Sequence, residues 1–580
     1  ELDNLNRITS KAYGISSSTL NTLEAKFFIS KERRENIPSL SDIELKEKVM
    51  VFNEDQNMAV KKVNEGSSNQ AYLIDGVTGS GKTEVYMEAI SKVISEGKQA
   101  LVLIPEIGLT PQTEQRFLQR FGSGVMSMHS GKNDRERLNA WLSASRGLVN
   151  IIIGTRSSVF TPFKDLGIIV VDEEHDLSYK QADRFRYSAR DIAIFRANSL
   201  NIPVILASAT PSLESLKNVI DKKYSLIELK NRVAGAHLPK YKAIDLRGKE
   251  LNNGFSEELL DQMLLELNHE NQVLVFINRR GYAPAMICEF CGLVILCPNC
   301  DSSMTIHSQP LRMQCHHCEA TSKIPKNCSS CNNSSFNHFG EGTQKVEEFL
   351  KNKFPTFPIK RIDGDTTRNK DSMEGYLSDI KTGKPMVLVG TQILAKGHHL
   401  PGVTLVGILD ADSGLFSADF RGSERVAQLI TQVAGRAGRE EKEGKVFLQT
   451  YCPEHPQIEE LISGTYKNFS DRILEERSQS KTPPFSYQAR FQAESSKGIL
   501  AQDFLLQLKK IIKIKELRIV GPIPSILEKK AGVYRWELNI YADTRRPLHV
   551  KLREAVKHLN EQKNTSKVRW SLDVDPIGIW

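Results

Sequence analysis

Residues Gly76 to Thr83 read GVTGSGKT, the phosphate-loop pattern of Gly, four residues, then Gly-Lys-Thr. Such a loop needs a strand before it and a helix after it, so it commits its surroundings to an α/β sheet. Ala71-Tyr72-Leu73-Ile74-Asp75 is the apolar strand candidate, and Glu84 to Ile94 sets Val85, Ala89, Ile90, Val93 and Ile94 at helical spacing. Glycines let backbone amides point at phosphate oxygens, and a helix N-terminus adds a favourable dipole. Gly76, Val77, Thr78, Gly79, Ser80 and Gly81 are then expected to cradle a nucleotide, with Lys82 on its β and γ phosphates and Thr83 on Mg2+. A glycine-rich turn before an ordinary helix is the plain alternative.

After the loop, Ala100–Ile104, Ile151–Ile153, Ile168–Val171 and Val204–Ala207 are continuous apolar runs separated by helical stretches. Runs of this kind predict a parallel sheet covered on both faces. Ile168–Val171 empties into Asp172-Glu173-Glu174-His175, at the carboxyl end of a strand, where open sheets collect ligands. Asp172 is expected to hold Mg2+ through water and Glu173 to polarise the attacking water; a solvated acidic turn is the alternative. Val204–Ala207 runs into Ser208-Ala209-Thr210-Pro211, where Thr210 or Ser212 could simply cap a helix.

A second α/β series runs from Gln272–Ile277 to about Tyr451 and has no phosphate loop of its own. It ends in Gln432-Val433-Ala434-Gly435-Arg436-Ala437-Gly438-Arg439. Arg436 and Arg439 stand three apart on a predicted helix and would face one way, suited to neutralising charge on a γ phosphate across a cleft. A basic surface helix is the alternative.

Eight of the nine cysteines form four Cys-x-x-Cys pairs: Cys288 and Cys291, Cys297 and Cys300, Cys315 and Cys318, Cys328 and Cys331. No apolar run approaches the roughly 18 residues that span a bilayer, and the first residues lack a signal peptide's apolar core, so a cytoplasmic location is expected. In that compartment such pairs mean metal rather than disulfides, here two closed structural zinc sites of four thiolates each. Fourteen residues separate Cys300 from Cys315, close to ribbon spacing, so Cys297, Cys300, Cys315 and Cys318 should share one Zn2+ and Cys288, Cys291, Cys328 and Cys331 the other. Cys452 stands apart as an ordinary buried thiol.

Ser178–Asp191 interleaves Tyr179, Phe185 and Tyr187 with Lys180, Arg184, Arg186 and Arg190. Rings among cations suit single strands, because bases stack on rings while phosphates meet the charges. The alternative is a loop of core aromatics and salt bridges. The net charge of +8, from 78 Lys and Arg against 70 Asp and Glu, is compatible with a polyanionic partner without requiring one.

GVTGSGKT, DEEH, SAT, GTQILAKGHH and QVAGRAGR, in this order, resemble the motifs of superfamily 2 helicases. VLIPEIGLTPQ from Val102, Asp172–Lys180 and LFSADFR from Leu415 narrow the resemblance to the PriA family of primosomal replication-restart helicases, over roughly residues 53 to 580. The resemblance implies that Gln56 reads adenine, that Ser208–Thr210 senses nucleotide state, and that the two zinc sites are nested. It implies two RecA-like parallel-sheet lobes with an inserted zinc module and a small C-terminal α/β domain. The expected divisions are 1–52 helical or winged remnant or linker, 53–228 lobe 1, 229–286 and 336–478 lobe 2, 287–335 zinc insertion, and 479–580 a DNA- and partner-binding domain. The last begins at the proline break Lys481–Phe485 and is made moderately basic by Lys529, Lys530, Arg535, Arg545 and Arg546.

The activity implied is an ATP-driven 3′–5′ DNA helicase that acts at stalled or repaired forks and initiates primosome assembly. The implied partners are fork and single-stranded DNA, single-strand-binding protein and helicase-loading proteins, with no membrane and a monomeric state. A DNA-bound assembly platform that uses ATP only as a switch needs the same nucleotide site. A duplex translocase or an RNA helicase is a third reading, whereas a GTPase is disfavoured because no Asn-Lys-x-Asp guanine reader is present. The chain opens on Glu1 rather than Met, which leaves room for a preceding domain, and the family's separate N-terminal domain for DNA 3′ ends is not seen in the sequence.

Overall fold

A computed structural model describes residues 17–26, 52–67, 69–105, 111–232, 239–277, 286–300, 302–308, 311–337, 343–362, 379–380, 382–391, 400, 402–417, 419–438, 442–463, 465–561 and 567–578. The first sheet has seven strands: β1 Ala71–Gly76, β2 Gln99–Leu103, β3 Val125–Met128, β4 Ile151–Gly154, β5 Leu166–Asp172, β6 Val204–Ser208 and β7 Tyr224–Leu229. Their order is β3-β4-β2-β5-β6-β1-β7 and every neighbouring pair is parallel. Alternate side chains feed two cores. Ile74, Val102, Ile153 and Val170 pack on one face with Val85 and Ile90 of the helix Lys82–Ser95, while Leu73, Leu101, Ile152 and Val171 pack on the other with Ala189, Ala193 and Ala197 of the helix Ala189–Leu200. Burial on both faces is why these strands carry almost no polar residue.

The β1, β6 and β5 strands lie side by side, so their carboxyl ends bring the phosphate loop, Ser208 and Asp172 together at one edge of the sheet. β3 and β7, which the apolar-run reading missed, are the two edge strands, VMSM and YSLIEL, and β7 is only half-buried.

The second sheet has six parallel strands in the order Ile359–Ile362, Met386–Gly390, Gln272–Phe276, Val403–Ile408, Lys445–Thr450 and Lys240–Asp245. Lys240–Asp245, the edge strand, alternates charged and apolar residues and escaped the sequence reading for the same reason. Between the strand Gln272–Phe276 and the helix Thr343–Lys353 lies the cysteine-rich module, whose described segments are short antiparallel pairs. The C-terminal domain is a four-stranded antiparallel sheet, Leu517–Lys530, Val533–Ala542, Tyr487–Ser495 and Arg569–Val574, with the helices Gly498–Ile512 and Arg545–Glu561 sharing one core with it.

The fold class expected from the sequence is therefore the one observed. In the N-terminal region, expected to be a helical or winged remnant or a linker, a helix covers Ser17–Ala25, and residues 27–51 lie outside the described residues. Among the described residues no helix is long and apolar enough to cross a membrane.

Candidate functional site

The phosphate loop follows β1 and ends where the helix Lys82–Ser95 begins. Gly79 and Gly81 have φ of +84° and +82°, the left-handed region that glycine enters without strain. No atom lies within 4 Å of a Cβ built on Gly79, so the loop's mouth is open. The Lys82 ammonium folds back to donate to the carbonyls of Gly76 at 2.7 Å and Val77 at 3.5 Å, so its charge sits within the loop. Gln56 is buried and already engaged. Its Nε2 donates to the Ser80 carbonyl at 2.9 Å, and with Asn53 it forms a reciprocal cap on the helix Glu54–Glu65. The side chain proposed for adenine thus braces the phosphate loop from behind.

Asp172 ends β5. It accepts from the Tyr86 hydroxyl at 3.2 Å and from the Glu173 backbone at 3.0 Å, and burial, then the Glu173 charge, push its carboxyl up to about 6. Glu173 has φ +46°, which a non-glycine residue adopts only under constraint, and its Oε2 accepts no hydrogen bond. An unspent carboxylate oxygen on a strained backbone, beside a metal-type Asp, is what a water-activating group needs. Thr83 lies one residue into the helix that carries Tyr86, on the same side of the cleft.

Of the two remaining residues of this run, His175 joins the lobes and Glu174 orders the segment of lobe 1 that meets lobe 2. Nε2 of His175 lies 2.7 Å from Nε2 of Gln432, and Nδ1 lies 2.7 Å from Oγ of Ser208. An amide nitrogen can only donate, so Nε2 is the acceptor of the ring and Nδ1–H donates to Ser208, whose oxygen also accepts from Thr210 N. Glu174 is fully buried and gathers Ser212, Ser215 and Arg190 around its carboxylate. Ser212 also caps the helix Leu213–Ile220. Further bonds cross between the lobes: Gln428 to the Thr210 carbonyl, Tyr466 to the Pro211 carbonyl, Leu213 N to Glu424, and Arg421 to Glu214. The signal was present, since Gln428 and Gln432 stand four apart at helical spacing, but only the fold shows what they face.

The helix Gly422–Ala434 stops at its C-cap, Gly435, so Arg436 lies in the turn beyond it. The helix expected to carry Arg436 is corrected accordingly. Gly435 sits against the phosphate loop, where a Cβ would be 2.8 Å from Oγ1 and 2.9 Å from Cβ of Thr78. Arg436, the next residue, is buried at this contact. Arg439, Gln392 and Lys396–His399 lie outside the described residues.

The cysteines gather into two groups of four: Cys288, Cys291, Cys328 and Cys331, and Cys297, Cys300, Cys315 and Cys318. This is the nested pairing expected from spacing. Cross-pair Sγ separations are 3.5 to 3.6 Å, much longer than the roughly 2 Å of a disulfide and close to the ~3.8 Å edge of a tetrahedron with Zn–S of about 2.3 Å. Backbone amides of Asn299 and His317 donate to the sulfurs of Cys297 and Cys315, as thiolates require. The residues fit zinc. Cys452 stands outside both groups and donates to the Gly292 carbonyl.

In the aromatic loop the structure separates what the sequence had grouped. Phe185 is 72% exposed at the tip, its ring lies tilted with its centroid 5.7 Å from that of Tyr187, and Tyr187 packs edge-on against Phe160 at 5.0 Å. Arg184 is exposed and Arg186 half-buried beside them, so these four side chains reach the surface. Tyr179 and Lys180 do not. Tyr179 is 2% exposed and its hydroxyl donates to the carbonyls of Asp172 and Leu103, so its ring is core and unavailable to a base. Lys180 is held by the C-terminal domain. Phe160, distant in sequence, was missed.

Residues 53–219 match the DEAD/DEAH box helicase family, 319–441 the helicase conserved C-terminal domain, 297–323 the PriA DNA helicase Cys-rich region domain, and 478–577 the primosomal protein N C-terminal domain. The chain is 46% identical over 530 residues to the replication restart protein PriA of Haemophilus influenzae, covering 91% of this chain and 72% of the relative. It is 38% identical over 574 residues to that of Bacillus subtilis, covering 97% and 71%. Among solved structures it is similar to RecG bound to a three-way DNA junction, at 16% identity and a TM-score of 0.44 over 77% of this chain and 50% of that one. It is likewise similar to the helicase MrfA bound to DNA, at 16% identity and a TM-score of 0.45 over 72% and 50%.

Proposed function

The chain belongs to the PriA family of replication restart proteins and carries its paired helicase domains, and from that membership we propose that it hydrolyses ATP between its two lobes to separate DNA strands at forks. The observation that carries this reading is the joint between the lobes: Gly435 on Thr78 of the phosphate loop, and His175 shared by Ser208 and Gln432. A nucleotide bound at the loop would have lobe 2 as its far wall.

In this reading Lys82 leaves the Gly76 and Val77 carbonyls for the β and γ phosphates, and Gln56 gives up its bonds to Ser80 and Asn53 to meet adenine. Thr83 and Asp172 would hold Mg2+, which supplies neutralising charge to the phosphates. Glu173 orients the attacking water and takes its proton. Arg436, with Arg439, meets the charge that develops on the transferred phosphoryl group. His175 follows Glu173 by two residues, so a change at the hydrolysed phosphate reaches Gln432 through one imidazole. That is a direct route from chemistry to lobe movement.

Phe185 and Tyr187, with Arg184 and Arg186, would grip single-stranded DNA, and the two cysteine groups would each hold one structural Zn2+. Movement 3′ to 5′, preference for forks, primosome assembly, and docking of single-strand-binding and helicase-loading proteins complete the proposal. The test is ATP hydrolysis with fork DNA, single-stranded DNA or RNA, comparing the unmodified chain with Lys82→Ala. DNA-stimulated hydrolysis abolished by the substitution supports it; stimulation by RNA alone contradicts it.

A further inference from the structure

Lys180 lies eight residues after Asp172, which ends β5, yet its ammonium is turned from solvent toward the C-terminal domain. The side chain is 7% exposed. Its Nζ is 2.7 Å from the Val574 carbonyl, 3.2 Å from the Asp575 carbonyl and 3.0 Å from Asp573 Oδ1. Two backbone carbonyls accept from this ammonium and the Asp573 carboxylate balances its charge, so the C-terminal domain stands where a phosphate would have to.

Both sides of that joint are stiff. On the helicase side, Tyr179 ties the same stretch to the ends of β5 and β2 through the Asp172 and Leu103 carbonyls, at 2.6 and 2.9 Å. Arg156 holds the Ser178 and Lys180 carbonyls, at 3.0 and 3.2 Å. Lys180 bridges Ser188, and Gln181 N donates to the Tyr187 carbonyl at 2.8 Å, which closes the base of the loop whose tip is Phe185. On the other side, Asp575 donates its backbone N–H to Gln488 and accepts from Arg545 at 2.6 Å, and Arg545 lies over the Tyr487 ring.

We propose that Lys180 is a positioning residue by which the C-terminal domain fixes the base of the DNA-gripping loop, and so sets how readily single-stranded DNA engages the ATPase. A loop fixed before DNA arrives loses less freedom on binding than a loose one. The inference deepens the functional reading given above and rests on it.

The test compares the 580-residue chain with Lys180→Ala, Lys180→Gln, Asp573→Asn and the Lys180→Ala, Asp573→Asn pair. Two readouts are taken: the oligothymidylate concentration that half-stimulates ATP hydrolysis, and the salt dependence of binding to labelled oligothymidylate by fluorescence anisotropy. Each single change is expected to raise the half-saturating DNA about tenfold, near the low end of coupling between linked sites, and the pair no further. The slope of log affinity against log salt stays unchanged.

A slope reduced by about 0.7 in Lys180→Ala, with Asp573→Asn binding normally, would mean a direct phosphate contact and overturn the proposal. Single variants that bind like the unmodified chain overturn it too. Asp573 also faces Arg490 at 3.9 Å, so Asp573→Asn leaves that cation less compensated. Should it not fold, the two Lys180 variants decide the matter through the slope. The binding arm uses no ATP, so it holds even where DNA fails to stimulate hydrolysis, an outcome that would overturn the functional reading instead.

Discussion

Gly435 of lobe 2 and Thr78 of the phosphate loop meet so closely that a Cβ on the glycine would lie 2.8 Å from the threonine hydroxyl and 2.9 Å from its Cβ. The φ of Gly435 is −61°, a value any residue adopts, so the glycine is required for space and not for conformation. Gly435→Ala should therefore fold with an unchanged melting temperature while pushing the lobes apart at the nucleotide. Hydrolysis is expected to fall by about tenfold or more, the scale set by sub-ångström displacement of a catalytic wall. Steady-state kinetics beside a thermal melt checks both halves.

The aromatic ladder of Phe185, Tyr187 and Phe160 is exposed at both ends, with Tyr187 half-buried between them. The double variant Phe185→Ala, Tyr187→Ala removes two stacking surfaces of about 1 to 3 kcal/mol each. Stimulation of hydrolysis by single-stranded DNA should disappear. Phe160→Ala, which removes only the backing of Tyr187, should weaken it less. A DNA titration of the ATPase separates the three; normal stimulation in the double variant would remove the loop from the mechanism.

Burial, and then the neighbouring Glu173, push the Asp172 carboxyl up to about 6. The proton raises no barrier above that value and blocks Mg2+ below it. Hydrolysis should drop about tenfold for each pH unit below the midpoint at limiting Mg2+. Because the metal binds only the ionised carboxylate, excess Mg2+ should move the midpoint to lower pH. A pH–rate profile at two Mg2+ concentrations shows this, and a midpoint indifferent to Mg2+ would assign the titration elsewhere.

The cysteine grouping predicts how zinc is lost. Cys297 and Cys300 share one set of four with Cys315 and Cys318, so Cys297→Ser with Cys300→Ser should halve the zinc content and leave the Cys288 set filled. Metal analysis of the purified double variant reads the result. Full retention of zinc would mean that the pairs are shared differently.

The sequence displayed the architecture wherever one residue type has one use. Glycines at a phosphate loop and thiols in four spaced pairs are of that kind, as are apolar runs buried on both faces of a sheet. Edge strands were lost because β7 and Lys240–Asp245 bury less and mix polar with apolar residues like surface segments, and because β3 is only four residues long and broken by a serine. Tyr179 and Lys180 misled because a buried tyrosine and a buried lysine look in sequence like an exposed pair; only the Leu103 and Val574 carbonyls, far along the chain, give them their partners. His175 and Gln432 lie 257 residues apart, and their bond depends on how two sheets face each other, which no local pattern records.

Strand release from a forked duplex with one labelled strand tests most directly whether closure of the two lobes on ATP moves DNA. The unmodified chain should free the labelled strand with ATP, and neither a non-hydrolysable analogue nor Lys82→Ala should support release. DNA-stimulated hydrolysis with the duplex left intact would contradict it, and would make the protein a switch-controlled platform.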